Sequence, residues 1–142
     1  MNRIVFCGHG GYGSGYKSGL EMIAGKSEKI LAVDFCEGES DETLYTKLQA
    51  LCGQYPDDGL IFACDMIGGS PYKQAVKVSF KKDTRQVVIG ISTLAVLEVL
   101  PVLNELPIWE LAEKLVEVSH SCICHVNTNE LVGEEKRIDE GI

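Results

Sequence analysis

The sequence has 142 residues, 45% of them hydrophobic and 24% charged, with a formal net charge of −8. That length suits one compact domain able to bury its own core without a disulfide or metal staple. The excess of acid argues against a nucleic-acid or anionic-membrane binder, since both need a basic face, and no apolar run approaches the roughly 18 residues of a membrane span.

The first predicted strand is Ile4 to Cys7, a short apolar run ended by Gly8. It is too brief for a signal-peptide core, so the chain reads as cytoplasmic. Ser14 to Ala24 follows as a helix, with Leu20, Ile23 and Ala24 at helical spacing and Gly25 as its stop. Ile30 to Phe35 reads as the second strand. Ser40 opens the next helix, with Asp41 and Glu42 in the turn where the helix dipole favours acid and Leu44, Leu48 and Leu51 on the buried face. After the turn cluster Pro56-Asp57-Asp58-Gly59, Leu60 to Cys64 is the third strand. Gly68-Gly69-Ser70-Pro71 breaks the chain, and Tyr72 to Phe80 is helical with Ala75, Val76 and Phe80 on one side. Val87 to Ile91 is the fourth strand. Leu94 to Leu106 reads as an almost wholly apolar helix, kinked or divided by Pro101, and Trp109 to Val118 as an amphipathic one. Cys122 to Val126 reads as one more strand. Residues 1–130 then form the domain and 131–142 a polar, acidic tail.

Strands alternating with helices predict an α/β fold: an open, mostly parallel sheet with helices on both faces. Ligands in such folds gather at the carboxyl ends of the strands, here Gly8-His9-Gly10-Gly11, Asp34, Asp65 and Ser92-Thr93. Of the six cysteines, Cys7, Cys36 and Cys64 lie in or beside apolar strands and read as small hydrophobes. Cys122-Ile123-Cys124-His125 lacks the usual ligand spacing and a second ligand pair, so neither metal nor cofactor is expected.

Residues 8–15 hold five glycines. Gly8, Gly10 and Gly13 formally match a dinucleotide-binding loop, with Asp34 near the place of a ribose-binding acid. The chain is short for such an enzyme, but an oxidoreductase subunit stands as one alternative and a regulatory small-ligand module as another. The phosphate-loop pattern fails, because Tyr16 stands where lysine is required.

Neither nucleotide motif explains His9. It lies just past a strand end, and Gly10 and Gly11 beside it leave room for a large partner and precede a helix whose N–H groups suit an anion. Asp65, ending a neighbouring strand, would share that sheet edge and fix the imidazole tautomer, leaving the other ring nitrogen as nucleophile. Gly69 and Ser70, before the next helix, add N–H donors and a hydroxyl. Nucleophile, orienting acid and anion cradle make a phosphoryl-transfer constellation. His120 and His125 lie after the last predicted helix, away from the strand carboxyl ends, with no glycine nest or following helix.

Ile4-Val5-Phe6-Cys7-Gly8-His9-Gly10, Leu20 to Gly25 and Asp65-Met66-Ile67-Gly68-Gly69-Ser70-Pro71 together resemble the mannose-family EIIA component of the bacterial phosphoenolpyruvate-dependent sugar phosphotransferase system, over about residues 1 to 120. The resemblance implies that His9 is phosphorylated by the carrier protein HPr and passes the phosphoryl group to an EIIB component, serving the membrane EIIC and EIID components indirectly. It further implies that Asp65 orients His9, that Ser70 lies near the phosphate, and that the protein is a homodimer exchanging a C-terminal strand, for which Cys122 to Val126 is the candidate. Gly8 departs from the Thr or Ser that this family usually carries before the histidine. A phosphocarrier domain serving dihydroxyacetone kinase shares the histidine position and is the alternative within the same chemistry. The apolar stretch Leu94 to Leu106 also suggests a face that a second subunit covers.

Overall fold

Strand β1 (Asn2–His9) carries six consecutive buried residues between its first and last, a pattern that only a strand covered on both faces produces. The computed structural model, which describes residues 1–130, places it inside a four-stranded sheet of order β2-β1-β3-β4. Strands β2 (Ile30–Phe35), β3 (Gly59–Cys64) and β4 (Arg85–Ile89) complete that sheet, and every pairing is parallel. The fold class is therefore α/β, as expected.

Alternate residues of β1 build two cores. Ile4 and Phe6 meet Leu20 of helix α1 (Tyr12–Ala24) together with α4 (Thr93–Val99) and α5 (Ile108–Ser121). Val5 and Cys7 meet Leu44 and Leu48 of α2 (Asp41–Gln54) and Ala75 and Val78 of α3 (Ser70–Ser79). Phe6 and Phe62, both fully buried, lie on opposite faces, and each contributes about 1.5–3 kcal/mol by leaving water. Ser40 caps α2 by accepting the Thr43 N–H at 3.1 Å.

Several expectations need correction. Leu94 to Leu106 is divided at Pro101 as expected, though it stops short of Leu106 as a helix: α4 ends at Val99, and Leu100–Val102 tightens into a 3-10 turn, where the ring cannot continue the α-helical hydrogen bonding. Ala95, Val96, Val99 and Leu103 are wholly buried, Leu97, Leu100, Val102 and Leu106 only partly so, and Leu94 is about half exposed. Cys122 to Val126 is not a strand: α5 runs on to Ser121, and a short 3-10 turn follows at Thr128–Glu130. An extended segment becomes a strand only by pairing its backbone, and this one has no partner among the described residues. The faces of two helices also differ from the reading. Ile23 and Phe80 are exposed, while Gly13 on α1 and Val78 on α3 point inward. Cys36, beside β2, is exposed as well. The tail, 131–142, lies outside the described residues.

Candidate functional site

The order β2-β1-β3-β4 reverses direction between β1 and β3. Helices α1 and α3, which leave these two strands, cover opposite faces of the sheet. Such a switch point opens a crevice at the carboxyl ends of its strands. His9 closes β1 there and Asp65 follows β3, so topology alone brings them together.

One carboxylate oxygen of Asp65, Oδ2, accepts two hydrogen bonds from His9: from the backbone N–H at 2.9 Å and from ring Nδ1 at 2.7 Å. The other, Oδ1, accepts the Met66 N–H at 2.9 Å. Burial pushes the Asp65 carboxyl up, but these donors outweigh it and hold its pKa below the ordinary aspartate value. An ionised Asp65 only accepts, so Nδ1 carries the proton and Nε2 keeps a free lone pair. The imidazole is 45% exposed and Asp65 only 18%, so the ring reaches solvent while the carboxylate beside it is shielded. The ring of Phe35, the register partner of His9 on β2, meets the imidazole in an edge-to-face arrangement with centroids 5.7 Å apart.

Gly69 also packs against the ring. A Cβ on it would lie 2.8 Å from His9 Cε1 and 3.5 Å from Nε2. Gly69 is also the N-cap of α3, whose first turn presents the N–H groups of Ser70 and Tyr72, Pro71 having none. Nε2 thus opens toward the positive end of a helix. Ser70 stands as the first residue of that helix.

Gly10 turns with φ +57° and donates its N–H to the Phe35 carbonyl at 2.8 Å. Its contribution is a left-handed turn rather than a free donor. Gly11 is the N-cap of α1. The remaining glycine-loop residues have structural work. Asp34 Oδ1 accepts the Ser14 N–H at 2.9 Å, and a Cβ on Gly13 would press against the Phe6 carbonyl at 2.6 Å. The acid that a dinucleotide ribose would need is holding the first turn of α1. Ser92 caps α4, and Thr93 donates to the Tyr16 hydroxyl.

His120 requires a correction. It sits in the last turn of α5, in a small cleft beside Gly90 at the carboxyl end of β4. It therefore stands at the same end of the sheet as His9, beside β4 rather than β1 and on the opposite face, because α5 extends three residues past Val118. It has no aspartate partner of the kind His9 has, since no ion pair or side-chain hydrogen bond to it is formed among the described residues.

The family model described as PTS system fructose IIA component, of the EIIA-man type, matches residues 3–121. The chain belongs to the mannose-type EIIA family of the sugar phosphotransferase system. It is 26% identical over 145 residues to the fructose-specific EIIA component of Bacillus subtilis strain 168, covering 99% of both chains. It is 29% identical over 108 residues to the mannose-specific EIIAB component of Escherichia coli strain K12, spanning 75% of this chain but 33% of that longer protein. The solved mannose/sorbose-specific IIA subunit from Enterococcus faecalis superposes with a TM-score of 0.79 at 18% identity, covering 89% of this chain and 95% of that one. The EIIA fold is thus shared where little sequence is. As an EIIA component the protein is a phosphotransferase in the general sense. No helix among the described residues is long and apolar enough to cross a membrane.

Tyr12, Phe35 and Met66 are the residues around the site that sequence reasoning missed. Phe35 was detectable as the last residue of β2, which parallel register sets beside His9. Tyr12 carried no such signal.

Proposed function

We propose that this EIIA component is a cytoplasmic phosphohistidine carrier, in which His9 Nε2 accepts a phosphoryl group from phospho-HPr and passes it to an EIIB component. The observation that carries the reading is the double hydrogen bond from His9 to Asp65 Oδ2, which dedicates one ring nitrogen to orientation and leaves the other for attack. The Nε2 lone pair forms a P–N bond as the P–N bond to the donor histidine breaks, and the electron pair of that bond stays with the donor. His9 becomes a phosphorylated imidazolium whose charge Asp65 offsets. The first turn of α3, with Gly69 and Ser70, faces the phosphoryl oxygens, and the glycines at 10 and 11 leave the approach open. Transfer to EIIB is the same displacement in reverse.

Met66 and Ile67, 54% and 71% exposed, stand in the loop between Asp65 and Gly69. They offer an apolar contact suited to partners that dock briefly and leave. We further propose a homodimer in which the Cys122–Val126 segment of a second copy pairs with the outer edge of β4. That edge is unpaired among the described residues, and a groove lined by Val87, Trp109, Ala112 and Val116 runs beside it.

The test is incubation with phosphoenolpyruvate, enzyme I and HPr, followed by intact-mass analysis. The native chain gains one acid-labile phosphate, His9→Ala gains none, and His120→Ala and His125→Ala label normally. Labelling of His9→Ala would overturn the reading.

A further inference from the structure

Gly8 and Tyr12 are packed as a single unit. A Cβ on Gly8 would lie 2.4, 2.6 and 2.8 Å from Cδ1, Cγ and Cβ of Tyr12. Real side chains do not approach so closely, so the Tyr12 side chain occupies the space that a residue before His9 would otherwise fill. Successive residues of a strand face opposite sides. His9 therefore points its ring toward the α3 face, while Gly8 turns the α1 face of the same backbone toward Tyr12.

Tyr12 is itself held. Its ring lies 5.7 Å from that of Tyr16, which stacks on Phe6 at 4.2 Å and 15°. The Tyr16 hydroxyl donates to the Ile91 carbonyl at 3.0 Å. The stack joins β1 to the loop after β4. Burial pushes the Tyr12 phenol far above its ordinary pKa, reinforced by Tyr16 and by the Asp65 carboxylate, so it stays neutral beside the site.

We propose that Tyr12 is a positioning residue for His9: packed on the rear of Gly8, it holds the end of β1 so that the His9 N–H and Nδ1 both reach Asp65 Oδ2. Glycine at 8 and an aromatic ring at 12 are then one coupled choice. Changing either alone disturbs the His9–Asp65 geometry, and changing both in opposite senses restores it. The inference rests on His9 as nucleophile for its kinetic consequence, but not for its structural one.

The experiment is a double-mutant cycle on Gly8→Ser and Tyr12→Gly, which removes the Cβ that lies 2.8 Å from a Gly8 side chain as well as the ring, with two readouts. Ring 15N shifts of unphosphorylated His9 report the Nδ1–H tautomer, and rapid-quench transfer from phospho-HPr reports rate. Each single variant is expected to lose tautomer purity and to transfer at least tenfold more slowly. The double variant returns to within about threefold of native, and Tyr12→Phe keeps native behaviour. Tyr12→Leu, which loses the ring but keeps Cβ and Cγ, is the second single variant if Tyr12→Gly folds poorly, and because those atoms still meet a Gly8 side chain its double variant with Gly8→Ser is not expected to recover. Unchanged His9 shifts in folded single variants, or losses that simply add in the double variant, would overturn the proposal. Absence of phosphate uptake by native protein would instead overturn the carrier reading, and the 15N cycle would still decide the coupling.

Discussion

Gly69 and His9 approach so closely that the histidine ring occupies the place of a Gly69 side chain, 2.8 Å from Cε1 to where a Cβ would be. The backbone at Gly69 (φ −72°, ψ 168°) suits any residue, so the requirement for glycine comes from the ring and not from the turn. Gly69→Ala is therefore expected to fold with a near-native melting temperature while pushing the imidazole aside. A displacement of about 1 Å costs on the order of 10²-fold in rate. Rapid-quench transfer from phospho-HPr, paired with thermal unfolding, checks both halves. Native-rate transfer by a folded Gly69→Ala would show that the ring tolerates the shift.

Asp65→Asn tests orientation. The amide oxygen still accepts a hydrogen bond, but the carboxylate charge that stabilises a phosphorylated imidazolium is lost. Transfer is expected to fall roughly 10²-fold or more, the scale of acid–base contributions. HPr binding changes little, because Asp65 is mostly shielded behind His9. Stopped-flow transfer and titration calorimetry separate the two effects, and a large loss of binding with an intact rate would reassign Asp65 to the docking surface.

At the other end of the sheet, Arg3 is 8% exposed, pairs with Asp58 at 2.6 Å and lies over the Tyr55 ring. The Met1 ammonium and then Arg3 hold the Asp58 carboxyl below its ordinary pKa, and the His9 donors act likewise on Asp65 against burial. A carboxylate whose folded pKa is depressed contributes stability in full above its unfolded value near 4, and loses it as pH falls through the folded value. The melting temperature should hold between pH 7 and about 5, then drop below about 4. Asp58→Asn leaves the Arg3 guanidinium short of its partner, costs about 1–3 kcal/mol and flattens that acid slope. Phosphotransfer at neutral pH stays native. A slope unchanged in Asp58→Asn would assign the acid loss to other carboxylates.

Much of this architecture is legible in the chain. His9 and Asp65 stand out because each is the first polar side chain after an apolar strand run, and parallel topology carries strand ends to one edge. Ser40 announces its helix through capping chemistry that operates locally. What escapes depends on three-dimensional company. Tyr12 looks like an ordinary residue of a glycine-rich loop until its ring is seen on Gly8. Which residues of the apolar run from Leu94 to Leu106 face inward is decided by α5 and the sheet, which bury Val96, Val99 and Leu103 and leave Leu94 exposed. His120 seems remote until α5 is found to extend to Ser121. Cys122 to Val126 has a strand's alternation without a neighbouring strand among the described residues.

The dimer makes that last segment a direct test. Sedimentation at micromolar concentration is expected to give twice the chain mass, and a chain ending at Ser121 is expected to sediment as a folded monomer. A full-length monomer would leave the β4 edge and exposed Trp109 to another partner, and a dimeric truncated chain would place the interface elsewhere.

The most direct measurement of the central claim is the bond itself. Protein labelled with 15N in histidine is phosphorylated through enzyme I and HPr, and one-bond 31P–15N coupling identifies the nitrogen that carries phosphorus. Asp65 occupies Nδ1 of His9 at 2.7 Å, so coupling is expected to Nε2 of His9 alone. Coupling to Nδ1 of His9, or to a ring nitrogen of His120 or His125, would contradict it.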